Sequence, residues 1–166
     1  EQLLIDGFTI TKGFAEATDN VNTAGGIAIQ DNVQDNTTIV SLRNCKFEDI
    51  TGRSGGAFGV DGESIIVNFI NCNFANNLSR TRGAAINSLS VGNLNIINSS
   101  FANNKSEDTS IGGAVIFSDG ASYINLENSI IWDEGDLLYT PTGIITAATI
   151  SNSILKDELE DGTLTI

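Results

Sequence analysis

Three acidic sets and one pair of thiols are the residues of this sequence whose types and spacing could do chemistry. The first set is spaced along the chain. Asp31 and Asp61 each stand five residues after a turn glycine, Ser88 follows in the same place, and Asp119 is one place out of step. If these positions recur on one face, Asp31 and Asp61 become neighbours able to share a Ca2+, a hard cation that takes six to eight oxygens. A turn role explains the same residues, because Val60-Asp61-Gly62-Glu63 and Ser118-Asp119-Gly120 are turn sequences. The second set, Asp133-Glu134-Gly135-Asp136, could also ligate Ca2+ through Asp133 and Asp136, but lacks the spacing of a known calcium loop. The third, Asp157-Glu158-Leu159-Glu160-Asp161-Gly162, reads as a solvated end or linker. No histidine is present, so zinc coordination is disfavoured, and neither cysteine belongs to a CxxC pair. The candidate bases Arg53, Arg80, Arg82 and Lys105 fall away from the aspartate series. No catalytic residue is therefore assigned, and the balance leans away from an enzyme. Possible Ca2+ apart, no cofactor is expected.

Any such residues must be positioned by a repeat. The string Leu94-Asn95-Ile96-Ile97-Asn98-Ser99-Ser100-Phe101-Ala102-Asn103-Asn104 has an earlier copy at residues 67–77 and a partial one at residues 40–47, with degraded copies at residues 124–131 and 148–155. The key asparagines Asn44, Asn71, Asn98, Asn128 and Asn152 are 27, 27, 30 and 24 residues apart. Before each asparagine, apolar residues alternate with polar ones, as in Val40-Ser41-Leu42 and Val67-Asn68-Phe69. Period two marks a strand with one buried face. After it come a small residue (Cys45, Cys72, Ser99, Ser129, Ser153) and then Phe47, Phe74, Phe101, Ile131 or Leu155. Asn tolerates the left-handed backbone that a sharp bend requires. A third strand starts at glycines 26, 56, 83, 113 and 143.

Three short strands per repeat of about 27 residues predict one rung of a parallel β-helix. The fold class is all-β, a right-handed parallel β-helix of about six rungs and one domain over residues 1–166, with like side chains stacked roughly 4.8 Å apart. Asp6 takes the asparagine place in the first rung, with Gly7 inserted. The segment 11–23 and the segment 134–142 read as surface excursions. Cys45 and Cys72 become inward neighbours, expected as buried free thiols because serines continue their column. In the glycine strand, Phe58, Val60, Val115, Phe117 and Ile145 oppose Ala57, Ala84 and Ala114 in parity. They form either an exposed apolar stripe or the core; both readings stand at this level.

A net charge of −13 leaves no basic footprint for nucleic acid and disfavours anionic membrane surfaces. Apolar runs are too short for a membrane span. Thr9 and Thr11 form one TxT, with no threonine column of the kind that binds ice. Sequons at Asn36, Asn77, Asn98 and Asn104 are ordinary in an Asn-rich chain. Both ends fall within strand-like runs without a polar cap, so the chain is expected to be a segment of a longer secreted protein. Further rungs, a cap or another protein chain would cover its open ends.

The motifs resemble those of the chlamydial polymorphic outer-membrane proteins, which repeat GGA(I/L/V) and FxxN. Gly112-Gly113-Ala114-Val115 matches the first, and Phe74-Ala75-Asn76-Asn77 and Phe101-Ala102-Asn103-Asn104 match the second. Gly55-Gly56-Ala57-Phe58 and Gly83-Ala84-Ala85-Ile86 are near matches, while Phe47-Glu48-Asp49-Ile50 and Ile131-Trp132-Asp133-Glu134 depart from the pattern. The resemblance implies an extracellular or surface-displayed module with an adhesin-like or structural role, meeting other protein chains and surface glycans. More distant relatives of this architecture are pectate-lyase-like enzymes, which set carboxylates on the outer face of adjacent rungs. The alternatives are thus a polysaccharide-active enzyme or a non-catalytic module binding carbohydrate or calcium.

Overall fold

Period-two alternation builds the first face of each rung, because every second side chain points inward and must be apolar. In the strand Ile65–Ile70 the alternate residues Ile65, Val67 and Phe69 are fully buried while Ile66, Asn68 and Ile70 are partly exposed. The chain is a parallel β-solenoid without α-helix among the residues that this computed structural model describes: 1–16, 24–30, 37–89, 92–108, 115–120, 123–139, 147–156 and 164–165. It has four faces, here A to D in chain order within a rung. Face A is a seven-stranded sheet: Gln2–Asp6, Thr38–Arg43, Ile65–Ile70, Asn93–Ile97, Tyr123–Glu127, Ala147–Ser151 and Leu164–Thr165. Face B has six strands: Thr9–Thr11, Lys46–Glu48, Asn73–Ala75, Ser100–Ala102, Ile130–Trp132 and Ile154–Leu155. Face C has three, Thr51–Ser54, Leu78–Arg82 and Lys105–Ser106. Face D has five, Ile27–Gln30, Phe58–Asp61, Ile86–Leu89, Ile116–Asp119 and Leu138–Tyr139.

The bend between faces A and B is the expected asparagine. Asn44, Asn71, Asn98, Asn128 and Asn152 all have φ between 49° and 55°. The first rung differs from expectation. Gly7, with φ 75°, takes the bend itself, while Asp6 pairs in register with Arg43 and accepts a 2.8 Å hydrogen bond from Asn44 Nδ2. Nothing is inserted. A second bend, not foreseen from the repeat, separates faces B and C; Lys12, Asp49, Asn76 and Asn103 hold it with φ of 55° to 58°. Each full rung therefore has four strands rather than three.

Three inner columns hold the rungs together. Phe47, Phe74 and Phe101 stack with centroids 4.8 and 4.6 Å apart and nearly parallel rings, and Phe69 meets Phe74 edge-on at 5.1 Å. Beside them run Cys45, Cys72, Ser99, Ser129 and Ser153. Each serine Oγ accepts from the backbone N–H of the preceding member, at 3.1 Å in all three cases, and donates to a carbonyl two residues back. That satisfies backbone donors the bend would otherwise leave buried and unpaired. The cysteines remain free and buried, and burial pushes the Cys72 thiol up to about 11. In the third column Asn77 Oδ1 accepts from Ile50 N, Asn104 Oδ1 accepts from Asn77 N and Nδ2, and the two amides donate to Phe47 O and Phe74 O. The sequons at Asn77 and Asn104 are therefore spent inside the core; Asn98 is exposed, and Asn36 lies outside the described residues.

Register resolves the parity question on face D. Ile27, Phe58, Ile86, Ile116 and Leu138 form one inward column, and Phe58, Val60 and Val115 are core. Val115 stands level with Ala57 and Ala85 on successive rungs rather than opposing Ala57, and is fully buried. Phe117 stands in the other column, in register with Asn87 and Tyr139, and is buried with the Arg82 guanidinium 5.0 Å above its ring. Ile145 lies outside the described residues. In the fifth rung, Leu138–Tyr139 takes the strand place expected for Thr142-Gly143-Ile144-Ile145. The reason is a short connection: Ile130–Trp132 runs on to face D with no face C strand between them. Gly55 and Gly83, at φ 76° and 65°, share the turn into face D, so the glycine series counted from Gly56 is displaced by one residue.

Candidate functional site

The site grows out of an exception in the Phe-class strand of face B. Inward residues there force their followers outward. The outward column reads Thr11, Glu48, Ala75, Ala102 and then Trp132. Where the two preceding rungs carry a methyl group, the fifth carries the only tryptophan of the chain, 56% exposed. Lys156 follows it on the next rung, its N–H donating to Ile131 O at 3.0 Å. Residues 103–106, around the second bend, and Glu134 and Gly135 line the same cleft. Together they enclose a cleft of about 570 Å3. That is the size of a small-ligand pocket.

What lies beneath the cleft explains its shape. Asp133 is 3% exposed and terminates the inner asparagine column. Its Oδ1 accepts from Asn104 N at 2.6 Å and its Oδ2 from Asn104 Nδ2 at 3.0 Å. Compared with Phe101-Ala102-Asn103-Asn104, the run Ile131-Trp132-Asp133 is one residue shorter, so it omits the second bend and brings the chain back along the cleft edge. Burial pushes the Asp133 carboxyl above the ordinary carboxylate range, against the Asn104 hydrogen bonds and the Lys156 charge, which pull it down. Its neighbour Glu134 is exposed and lies 3.7 Å from Lys156 Nζ.

The groups offered to a ligand are few. Asn104 is lined up with the cleft but its amide is fully used within the column, and Ser106 Oγ is bonded to Thr81 O and Asp108 O. Asn103 and Lys105 are exposed. An aromatic face, an amide and two ammonium groups suit a polyhydroxylated ligand with one apolar face. They do not make a cleaving pair of carboxylates, since Asp133 is committed to Asn104.

The acidic residues singled out in the sequence come together less than expected. Asp61 pairs in register with Gln30 and Leu89, and Leu89 in turn with Asp119. Asp61 and Asp119 are therefore two rungs apart, roughly 10 Å, with a leucine between. The face D register sets Gln30 beside Asp61, and Asp31 lies outside the described residues. Asp136 is half-buried and its backbone carbonyl accepts from Val115 N at 2.9 Å. Among the described residues no three His, Cys, Asp or Glu side chains gather to hold a metal. Arg80 pairs with Glu16 at 2.7 Å and lies over the Phe14 ring. Trp132 was visible in the sequence as a residue of outward parity following Ile131, although only its departure from FxxN stood out. Comparison with protein-family models, with curated proteins and with solved structures finds no match.

Proposed function

We propose that this protein is an extracellular or surface-displayed attachment module in which the rungs serve as scaffold and the Trp132 cleft holds carbohydrate without cleaving it. The exposed indole lining a cleft of about 570 Å3 carries this reading. Sugars present C–H faces that pack on aromatic rings, while their hydroxyls take hydrogen bonds from groups such as Asn103 and Lys105. The motif resemblance to surface-displayed solenoids supports the location. Exposed Leu3, Leu4 and Phe8 on the first rung support contact there with further rungs or another chain.

The test is a glycan array probed with the wild-type chain and Trp132→Ala. Wild type binds a subset of glycans, and the variant loses about tenfold or more of that affinity with an unchanged circular dichroism spectrum. Incubation with bound polysaccharides releases no new reducing ends. Equal binding by the variant would overturn the site, and sugar release would overturn the non-catalytic role.

A further inference from the structure

The cleft is built for a particular charge of sugar. The chain as a whole is strongly acidic, with 21 carboxylates against eight cations. Its cations are not spread evenly. Four of the eight, Arg53, Arg80, Arg82 and Lys105, stand on the three short strands of face C, and Lys156 joins them across the cleft. Arg80 is engaged by Glu16. Glu107, next along from Lys105 on the outer side, adds its field to Arg80 as well. Lys156 has Glu134 at 3.7 Å. Among the described residues Lys105 has no carboxylate within ion-pair distance, and it is exposed on the cleft wall, on the far side of the second bend from face B and its Trp132 column.

An ammonium without a carboxylate partner among the described residues, in a chain of net charge −13, is the group that a ligand's negative charge would meet. We propose, resting on the carbohydrate reading above, that the cleft selects an anionic sugar. The ring lies on Trp132, a carboxylate or sulfate on that sugar meets Lys105, and the Lys156–Glu134 pair bounds the other side. A charge-assisted hydrogen bond is about twice as strong as a neutral one. The surrounding acidic surface repels anionic polymers elsewhere, so discrimination is concentrated at this cleft.

Because Trp132 is the only tryptophan, its fluorescence reads the site directly. Titrate the full chain with three probes of equal length: a hyaluronan tetrasaccharide, the same tetrasaccharide with its carboxyls reduced, and a chondroitin sulfate tetrasaccharide. The charged probes bind about tenfold more tightly than the reduced one. Their advantage shrinks as NaCl rises. Lys105→Gln removes that advantage, bringing the charged probes down to the affinity of the reduced one. Chondroitin sulfate keeps the uronate carboxylates and adds sulfate, so tighter binding of it than of hyaluronan shows that sulfate is read, and equal binding of the two shows that the carboxylate suffices. Equal affinity for all three, or a preference that survives in Lys105→Gln, overturns the anionic selection and leaves the carbohydrate site standing. No response from any probe, together with an empty glycan array, overturns both.

Discussion

Asp133 shows how one atom's difference changes the role of a residue. It ends a column in which Asn77 and Asn104 each donate Nδ2 to a carbonyl on the preceding rung, Phe47 O at 3.1 Å and Phe74 O at 3.0 Å. A carboxylate can accept from Asn104 as those amides do, but it cannot repeat the donation toward Phe101. It also carries a charge into the core. The sign of its pH dependence follows from its raised folded pKa. The stability it contributes is full below its unfolded value, about 4, and is lost as pH rises through the folded value. Asp133→Asn restores the amide and removes the charge. Near neutral pH the variant is expected to be more stable by about 1 kcal/mol, and the gain vanishes below about pH 4. Urea unfolding followed across that pH range measures both. A variant less stable at neutral pH would show that the Asn104 hydrogen bonds to a charged acceptor outweigh the burial cost. The cysteines illustrate the opposite case. A site expected to want small side chains does hold Cys45 and Cys72 as inert buried thiols, because the serine column needs only a compact group that can meet a backbone carbonyl.

At the scale of the strand, the face B ladder carries much of the core. Phe74 stacks on two rings and meets a third edge-on. Phe74→Ala is expected to cost about 3–5 kcal/mol, a large part of a typical domain's stability. Phe74→Leu costs about 1.5 kcal/mol, since Ile10, Ile131 and Leu155 already occupy the same column. Equilibrium urea denaturation separates them; equal losses would mean that stacking geometry, not burial, governs the column. This ladder and the asparagine bend were legible in the sequence because both repeat with identical residue types at fixed offsets. Face C was not. Thr51–Ser54 and Lys105–Ser106 are too short and too mixed for alternation to show. The second bend hid because its residues vary from Lys12 to Asp49 to Asn76. Asp133 hid for a different reason: a one-residue deletion shifts it out of the FxxN frame, so it read as a loop acid. The parity of face D could not be settled from one strand alone, since Ala57 and Phe58 are both buried at the turn, one in the corner and one in the strand. Register between strands decides it.

At the scale of the molecule, the solenoid makes stability and function separable along one axis. Backbone pairing joins each rung only to its neighbours, with the Arg80–Glu16 ion pair reaching across one, so the total is close to a sum of rung and interface terms. The cleft draws on Asn103 to Ser106, the Trp132 to Gly135 run and Lys156, all toward the C-terminal end of the described rungs. No lining residue comes from the rung that runs from Asn71 to Asn98, and the supports that Asn104 and Ser106 take there, Phe74 O, Asn77 and Thr81 O, have counterparts one rung earlier. Deleting residues 72–98 joins Asn71 to Ser99, which preserves the order of bend, small residue and Phe. Phe47 then stacks on Phe101, Ile50 N meets Asn104 rather than Asn77, and Val67 neighbours Ile124 in place of Leu94, so every inner column stays filled by its own kind. The shortened chain is expected to fold with the same circular dichroism per residue. Its denaturant slope falls by about one sixth, in proportion to the chain removed, because that slope follows the surface exposed on unfolding. Its tryptophan fluorescence response to sugar is kept. A shortened chain that fails to fold would show coupling beyond nearest rungs. One that folds but loses the response would show that the cleft depends on the length of the solenoid as well as on its own walls.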